Sequence, residues 1–119
     1  MNIKVQGMLS KKLILMELAG EMDGTSFYEF KKTLEDVLGL DPMSRYKLVI
    51  DLDNVTYVDP LISRIFVHTL EKVRRKKMDF RLVYSAQSVV HGLFDFGAIS
   101  EGYYVKYNSQ QEALIELAD

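Results

Sequence analysis

Hydrophobic positions along this chain switch repeatedly between a strand period and a helix period. Ile3 to Met8 alternates weakly, with Ile3 and Val5 ahead of Gly7 and Met8, and predicts an edge strand. Lys12 to Leu18 carries Leu13-Ile14-Leu15-Met16 and predicts a strand with apolar groups on both faces. Gly20-Glu21-Met22-Asp23-Gly24 is expected to break it. A first helix is expected to open at Ser26, which forms a capping box with Glu29 three residues on. Phe27, Phe30, Leu34, Val37 and Leu38 then follow the three-four spacing of one buried face. Gly39 suits a left-handed residue just past the helix end, and Pro42 lies beyond it.

The second half repeats the alternation. Lys47 to Leu52 is a continuous apolar run that fits a central strand covered on both faces. Asp51-Leu52-Asp53-Asn54 reads as a tight acidic turn, followed by a second short run, Val55 to Val58. Asp59 then stands at a helix N-cap, with Pro60 at the first helical position. Over about Pro60 to Lys76, a projection at about 100° per residue puts Ile62, Ile65, Phe66, Thr69, Leu70 and Val73 on one side. Arg64, His68, Glu71 and Arg75 take the other. Phe80 to Tyr84 predicts a further strand. Ser85 is expected to cap a third helix through Val89, Val90, Leu93 and Phe94, ending near Gly97. Tyr103 to Tyr107 reads as a short last strand. Ser109 and Glu112 form a second capping box that opens a closing helix with Ala113, Leu114 and Leu117. Strands separated by helices of this size predict an α/β fold with a small mixed sheet. With no internal repeat, low-complexity segment or linker, one domain over residues 1–119 is expected.

Composition narrows the function classes. Fifteen Lys and Arg against 17 Asp and Glu leave a net charge of −2, which gives no global attraction to nucleic acid or an anionic membrane. Cysteine is absent, so disulfides, thiolate catalysis and cysteine metal sites are excluded together. No run approaches the ~18 apolar residues of a membrane span, and the N-terminal residues lack the apolar core of a signal peptide. A cytoplasmic protein with no membrane insertion is expected. The basic run Lys72 to Lys77 ends a helix, where cations meet the dipole favourably, and reads as a solvated face. His68 and His91 have no histidine partner at metal spacing, and no phosphate-binding glycine loop or hydrolase motif occurs.

The stretch YKLVIDLDNVTYVDPLISRIF, Tyr46 to Phe66, resembles the signature of the STAS family (sulfate transporter and anti-sigma factor antagonist domains). That signature reads roughly "lvlDLsxVxxxDSsGlxxL", and Val49-Ile50-Asp51-Leu52, Val55, Asp59, Ile65 and Phe66 match it. Gly20-Glu21-Met22-Asp23, Phe80-Arg81-Leu82-Val83, Leu93-Phe94-Asp95-Phe96-Gly97 and Gln111-Glu112-Ala113-Leu114 are similar to further family segments, in family order. The resemblance implies a STAS-type domain that binds partners and turns over no substrate, without a cofactor. In the anti-sigma branch, the unphosphorylated protein captures a serine-kinase anti-sigma factor, and phosphorylation of the serine after the second Asp breaks that complex. Here that position is Pro60, and bulky Leu61 and Ile62 replace the small residues that follow. A phosphoserine would add about −1.5 to −2 charge beside Asp59. Proline has no hydroxyl to carry it, yet fits the first helical position because the N–H it lacks would be unpaired anyway.

The resemblance and the local patterns together mark Asp23, Thr25, Asp59, Pro60, Leu61 and Ser63 as the expected partner surface, with Asp53 and Asn54 on the adjoining turn. Ser63 and Thr56 are the hydroxyls nearest to the missing phosphoacceptor. Each residue also has a structural explanation: capping for Asp59, turn chemistry for Asp23, Asp51 and Asp53, β-propensity for Thr56, solvation for Ser63. The expected partner is a protein, either an anti-sigma factor or a kinase-like regulator, and a homodimer stays open. Two alternatives also stay open: a scaffold or transporter-associated subunit docking through Leu61 and Ile62, and a small nucleotide-binding or metal-dependent enzyme using Asp23, Asp51 and Asp59.

Overall fold

The computed structural model of the chain describes residues 1–39, 46–75, 79–92 and 105–117. β1 (Asn2–Met8) runs through a short 3-10 turn into β2 (Leu13–Met22), and the two pair antiparallel. β3 (Lys47–Val58), β4 (Asp79–Val83) and β5 (Val105–Tyr107) are added in parallel, so the sheet order is β1-β2-β3-β4-β5. α1 (Gly24–Leu38) joins β2 to β3, and α2 (Pro60–Arg75) joins β3 to β4. Parallel neighbours need such crossovers, and crossovers of one hand between successive strands place both helices on the same face. α3 (Gln110–Glu116) follows β5 and covers the opposite face. The expected α/β fold with a mixed sheet is the fold observed.

The pleat of β3 sorts the core. Leu48, Ile50 and Leu52 point into the larger cluster, where α1 supplies Phe27, Phe30, Leu34 and Val37 and α2 supplies Phe66, Val67, Leu70 and Val73. The rings of Phe30 and Phe66 meet with centroids 5.5 Å apart and hold the two helices together. Val49 points the other way, onto Leu13, Leu15, Val83 and Tyr107, beneath Ala113 and Leu117 around α3. Arg81 fastens this second face by bonding Asp79 and the Tyr107 hydroxyl, with Glu116 of α3 at 3.7 Å.

Several elements differ from the sequence expectation for identifiable reasons. β2 starts at Leu13 because Lys12 takes a left-handed backbone (φ 51°) to close the turn. It does not break at Gly20. Gly20 at φ +105° accommodates a register shift between Gly20 and Glu21, and the strand continues to Met22. β3 likewise runs unbroken from Lys47 to Val58, so Asp51-Leu52-Asp53-Asn54 is strand and no acidic turn exists there. α1 is capped by Asp23, not Ser26: the Phe27 amide already bonds the Asp23 carbonyl, which puts Ser26 inside the first turn. Gly39 is right-handed, at φ −81°.

On α2 the buried arc is rotated toward Val67, leaving Ile65 48 % exposed and Ile62 half-buried. Residues 85–90 form turns; the Ser85 amide is drawn away to the Asp53 carboxylate, and helical residues begin only at His91. The rest of the expected third helix, through Gly97, lies outside the described residues, as do Pro42, Tyr103 and Lys76-Lys77. The cap on α3 is as expected, with Ser109 Oγ accepting from the Glu112 amide.

Half-burial sets a scale for α2. Phe66→Ala should cost about 3–5 kcal/mol, whereas Ile62→Ala should cost about 1–2 kcal/mol, since much of its surface is already wet. Urea denaturation of both variants measures this; equal losses would place Ile62 in the core.

Candidate protein-binding site

Two helix starts lie side by side at one end of the sheet. The last paired residues of β2 and β3 are Met22 and Val58, on parallel strands that pack about 4.8 Å apart. The next residue on each is an Asp, and each Asp caps a helix. Asp23 Oδ1 accepts from the Ser26 amide and hydroxyl, both at 2.9 Å. Asp59 Oδ1 accepts from the Leu61 amide at 2.8 Å, while its carbonyl accepts from the Ile62 and Ser63 amides. The Asp59 amide donates to the Met22 carbonyl at 2.9 Å, so the two caps are joined through the backbone. The Ser26 amide and hydroxyl hold the Asp23 carboxyl below its ordinary range, keeping it ionised. Two carboxylates thus sit where the helix dipoles favour negative charge.

Beside this pair α2 leaves apolar side chains uncovered. Leu61 is 81 % exposed, at the first turn of α2, and Ile65 stands one turn further along the same stripe. Thr25 and Pro60 are exposed beside the caps. Ile65 also lines a groove of about 290 Å³ between α1 and α2, together with Lys31, Leu34, Leu38, Lys72 and Val73. Ile65 is the surface residue here that sequence reasoning missed. The four-residue step from Leu61 to Ile65 was the available signal.

The other expected site residues separate from this pair. Asp53 and Asn54 precede Asp59 along β3 by enough strand to stand roughly 15–20 Å away. Asp53 Oδ1 accepts from the Ser85 amide at 2.7 Å, tying β3 to the segment after β4, and Asn54 is exposed. Ser63 is half-buried and donates its hydroxyl to the Pro60 carbonyl at 2.9 Å; Thr56 is exposed on β3. His68 is exposed, and His91 is half-buried beside the Tyr84 ring.

Asp51, the acid of the central motif, points to the opposite face and is only 5 % exposed. Its carboxylate accepts from the Asp53 amide at 3.0 Å and from Gln110 Nε2 at 2.9 Å, so it anchors the first residue of α3. Burial pushes its carboxyl above the ordinary value of 3.8, aided by the charges of Asp53 and Glu17, while its two hydrogen bonds pull the other way.

With this geometry in view, comparison with known proteins gives the family. The sequence model of the STAS domain matches residues 3–108, and the chain belongs to that family. No curated protein sequence matched. Among solved structures, the chain is similar to an anti-sigma factor antagonist from Mycobacterium paratuberculosis, at TM-score 0.70 and 21 % identity over 99 % of this chain and 94 % of that one. A serine-to-glutamate variant of RsbS from Moorella thermoacetica gives TM-score 0.72 at 18 % identity, covering 99 % and 96 %. SpoIIAA, an anti-sigma factor antagonist in its unphosphorylated form, gives 0.66 at 10 % identity, covering 98 % and 97 %. These likenesses establish a shared fold.

Two outcomes follow from the site's hydrogen bonds. Asp59→Ala should lose about 0.5–2 kcal/mol in chemical denaturation while Asp59→Asn stays near neutral; the same near-zero change for both would remove the capping role. For Asp51, the raised pKa means the folded protein binds its proton more tightly than the unfolded chain. Its contribution therefore favours folding at low pH and declines as pH rises from about 4 through the folded pKa. Asp51→Asn should abolish that decline, so the wild-type minus variant stability difference should fall with pH across this window. A flat difference would show that burial leaves Asp51 untouched.

Proposed function

We propose that this chain is a regulatory protein–protein interaction module of the anti-sigma factor antagonist type. Its partner is an anti-sigma factor of the serine-kinase kind or a related regulator, met in the cytoplasm. The observation that carries this reading is the joined pair of helix starts, Asp23 and Asp59, beside the exposed Leu61. The surface combines fixed negative charge with uncovered apolar area, which suits a protein partner that brings both a cation and an apolar side chain. Fold similarity to anti-sigma factor antagonists supports the partner class.

Pro60 sets how the module is used. It stands after the capping Asp, exposed, with no hydroxyl, and its carbonyl already accepts from Ser63. We read the contact as constitutive: the surface stays competent whatever the kinase activity around it. Neither Ser63, engaged with its own helix, nor Thr56, out on the strand, takes over the switch. The exposed Leu61–Ile65 stripe supports a second reading on the same surface, a scaffold or transporter-associated subunit that docks permanently. An enzyme using Asp23, Asp51 and Asp59 together fits poorly, because Asp51 is committed to Gln110 on the far face of the sheet.

Affinity capture from the native host tests this reading. Leu61→Asp should keep the melting temperature of the wild type and lose the captured partner, since a charge would enter an apolar contact. Peptide mass spectrometry of the same material should find no phosphate between Asp59 and Arg64. High phosphate occupancy on Ser63 would mean the switch has moved, and undiminished capture by Leu61→Asp would place the partner elsewhere.

A further inference from the structure

The two margins of the sheet are built differently. Among the described residues β5 is three residues long, and a short edge strand offers little for another chain to pair with. β1 is seven residues long, pairs only with β2 among the described residues, and keeps one uninterrupted register from Asn2↔Ala19 to Met8↔Leu13. Of the devices that usually protect an edge it carries one, the single charge of Lys4; NIKVQGM has no proline and no bulge. Lys4 stands opposite Glu17 of β2 in the register. Val5, in the middle of the strand, is 45 % exposed.

We propose that β1 is a self-pairing edge, on which a second copy of this chain docks antiparallel about a two-fold axis at Val5. The sequence of β1 selects this register. Centred on Val5, all seven residues pair: Asn2 with Met8, Ile3 with Gly7, Lys4 with Gln6, and Val5 with its own copy. The exposed valines then cover each other, Ile3 faces a residue without a side chain, and neither lysine meets a like charge. Centring on Lys4 sets the two lysines against each other, and centring on Gln6 pairs only five residues a side. The self-complementary patch is what an isologous two-fold contact requires. It joins two five-stranded sheets into one and leaves the starts of α1 and α2 free, because they lie at strand ends and not along this edge.

A cysteine scan is clean here, since the chain has no native cysteine. Opposed residues on antiparallel strands have Cα atoms about 4.5–5.5 Å apart, within the span of a disulfide. Under mild oxidation of the full chain, Val5→Cys should form a covalent dimer with doubled intact mass. Lys4→Cys should stay single, because its own copy is displaced along the strand, and the Lys4→Cys, Gln6→Cys double variant should regain the dimer. Circular dichroism of the reduced proteins checks that each is folded. Sedimentation of the unmodified chain should show a monomer–dimer equilibrium that Val5→Lys shifts to monomer. Equal crosslinking by Val5→Cys and Lys4→Cys would indicate random collision and overturn the register. A chain that stays monomeric at millimolar concentration would overturn self-pairing itself, leaving the edge open or for a strand of another protein.

Discussion

Parallel pairing of β2 with β3 determines where the two helix starts of the candidate site stand. Both strands end together, at Met22 and Val58, and both are followed at once by an aspartate that starts a helix. The backbone bond from Asp59 to Met22 closes that pairing one residue beyond the strands. Because α1 and α2 cover the same face and meet through Phe30 and Phe66, their first turns are held next to each other. Two shifts in the β2–β3 register, one at the positive-φ Gly20, bring the strand ends level. A slip by one residue would separate the caps and turn the core side chains of β3 to the wrong face.

The acidic residues of β3 and the one just past its end have different tasks: Asp51 and Asp53 build the fold, and Asp59 stands at the surface. Asp51 and Asp53 stabilise the frame through Gln110 and backbone amides, and the cost of burying Asp51 appears as a raised carboxyl pKa. Asp59 does local work on its own helix and remains at the surface with Leu61. A proline after it is compatible with all of this geometry, since the first helical residue needs no amide hydrogen.

Helix faces were legible in the sequence because three-four spacing of Phe27, Phe30 and Leu34 admits one arrangement. The α/β alternation was legible for the same reason. The length of β3 was not. Asp51, Asp53 and Asn54 are turn formers by propensity, and what keeps them in a strand are partners 32 and 59 residues away in sequence, Ser85 and Gln110. Of the residues expected at the candidate site, Asp23, Thr25, Asp59, Pro60 and Leu61 stand around the two helix starts, whereas Asp53 and Asn54 stand well back along the strand. Ile65 misled the projection because α2 leans its buried arc toward Val67, a packing choice that a single helix does not encode.

Site-specific photo-crosslinking in the native host tests the central claim most directly. A photoreactive residue at Thr25 or Leu61 reports on the two helix starts, and one at Ile115, exposed on α3, reports on the opposite face. The account predicts one protein partner trapped from both Thr25 and Leu61, with nothing trapped from Ile115. Partner capture from Ile115 with the helix starts silent would contradict it.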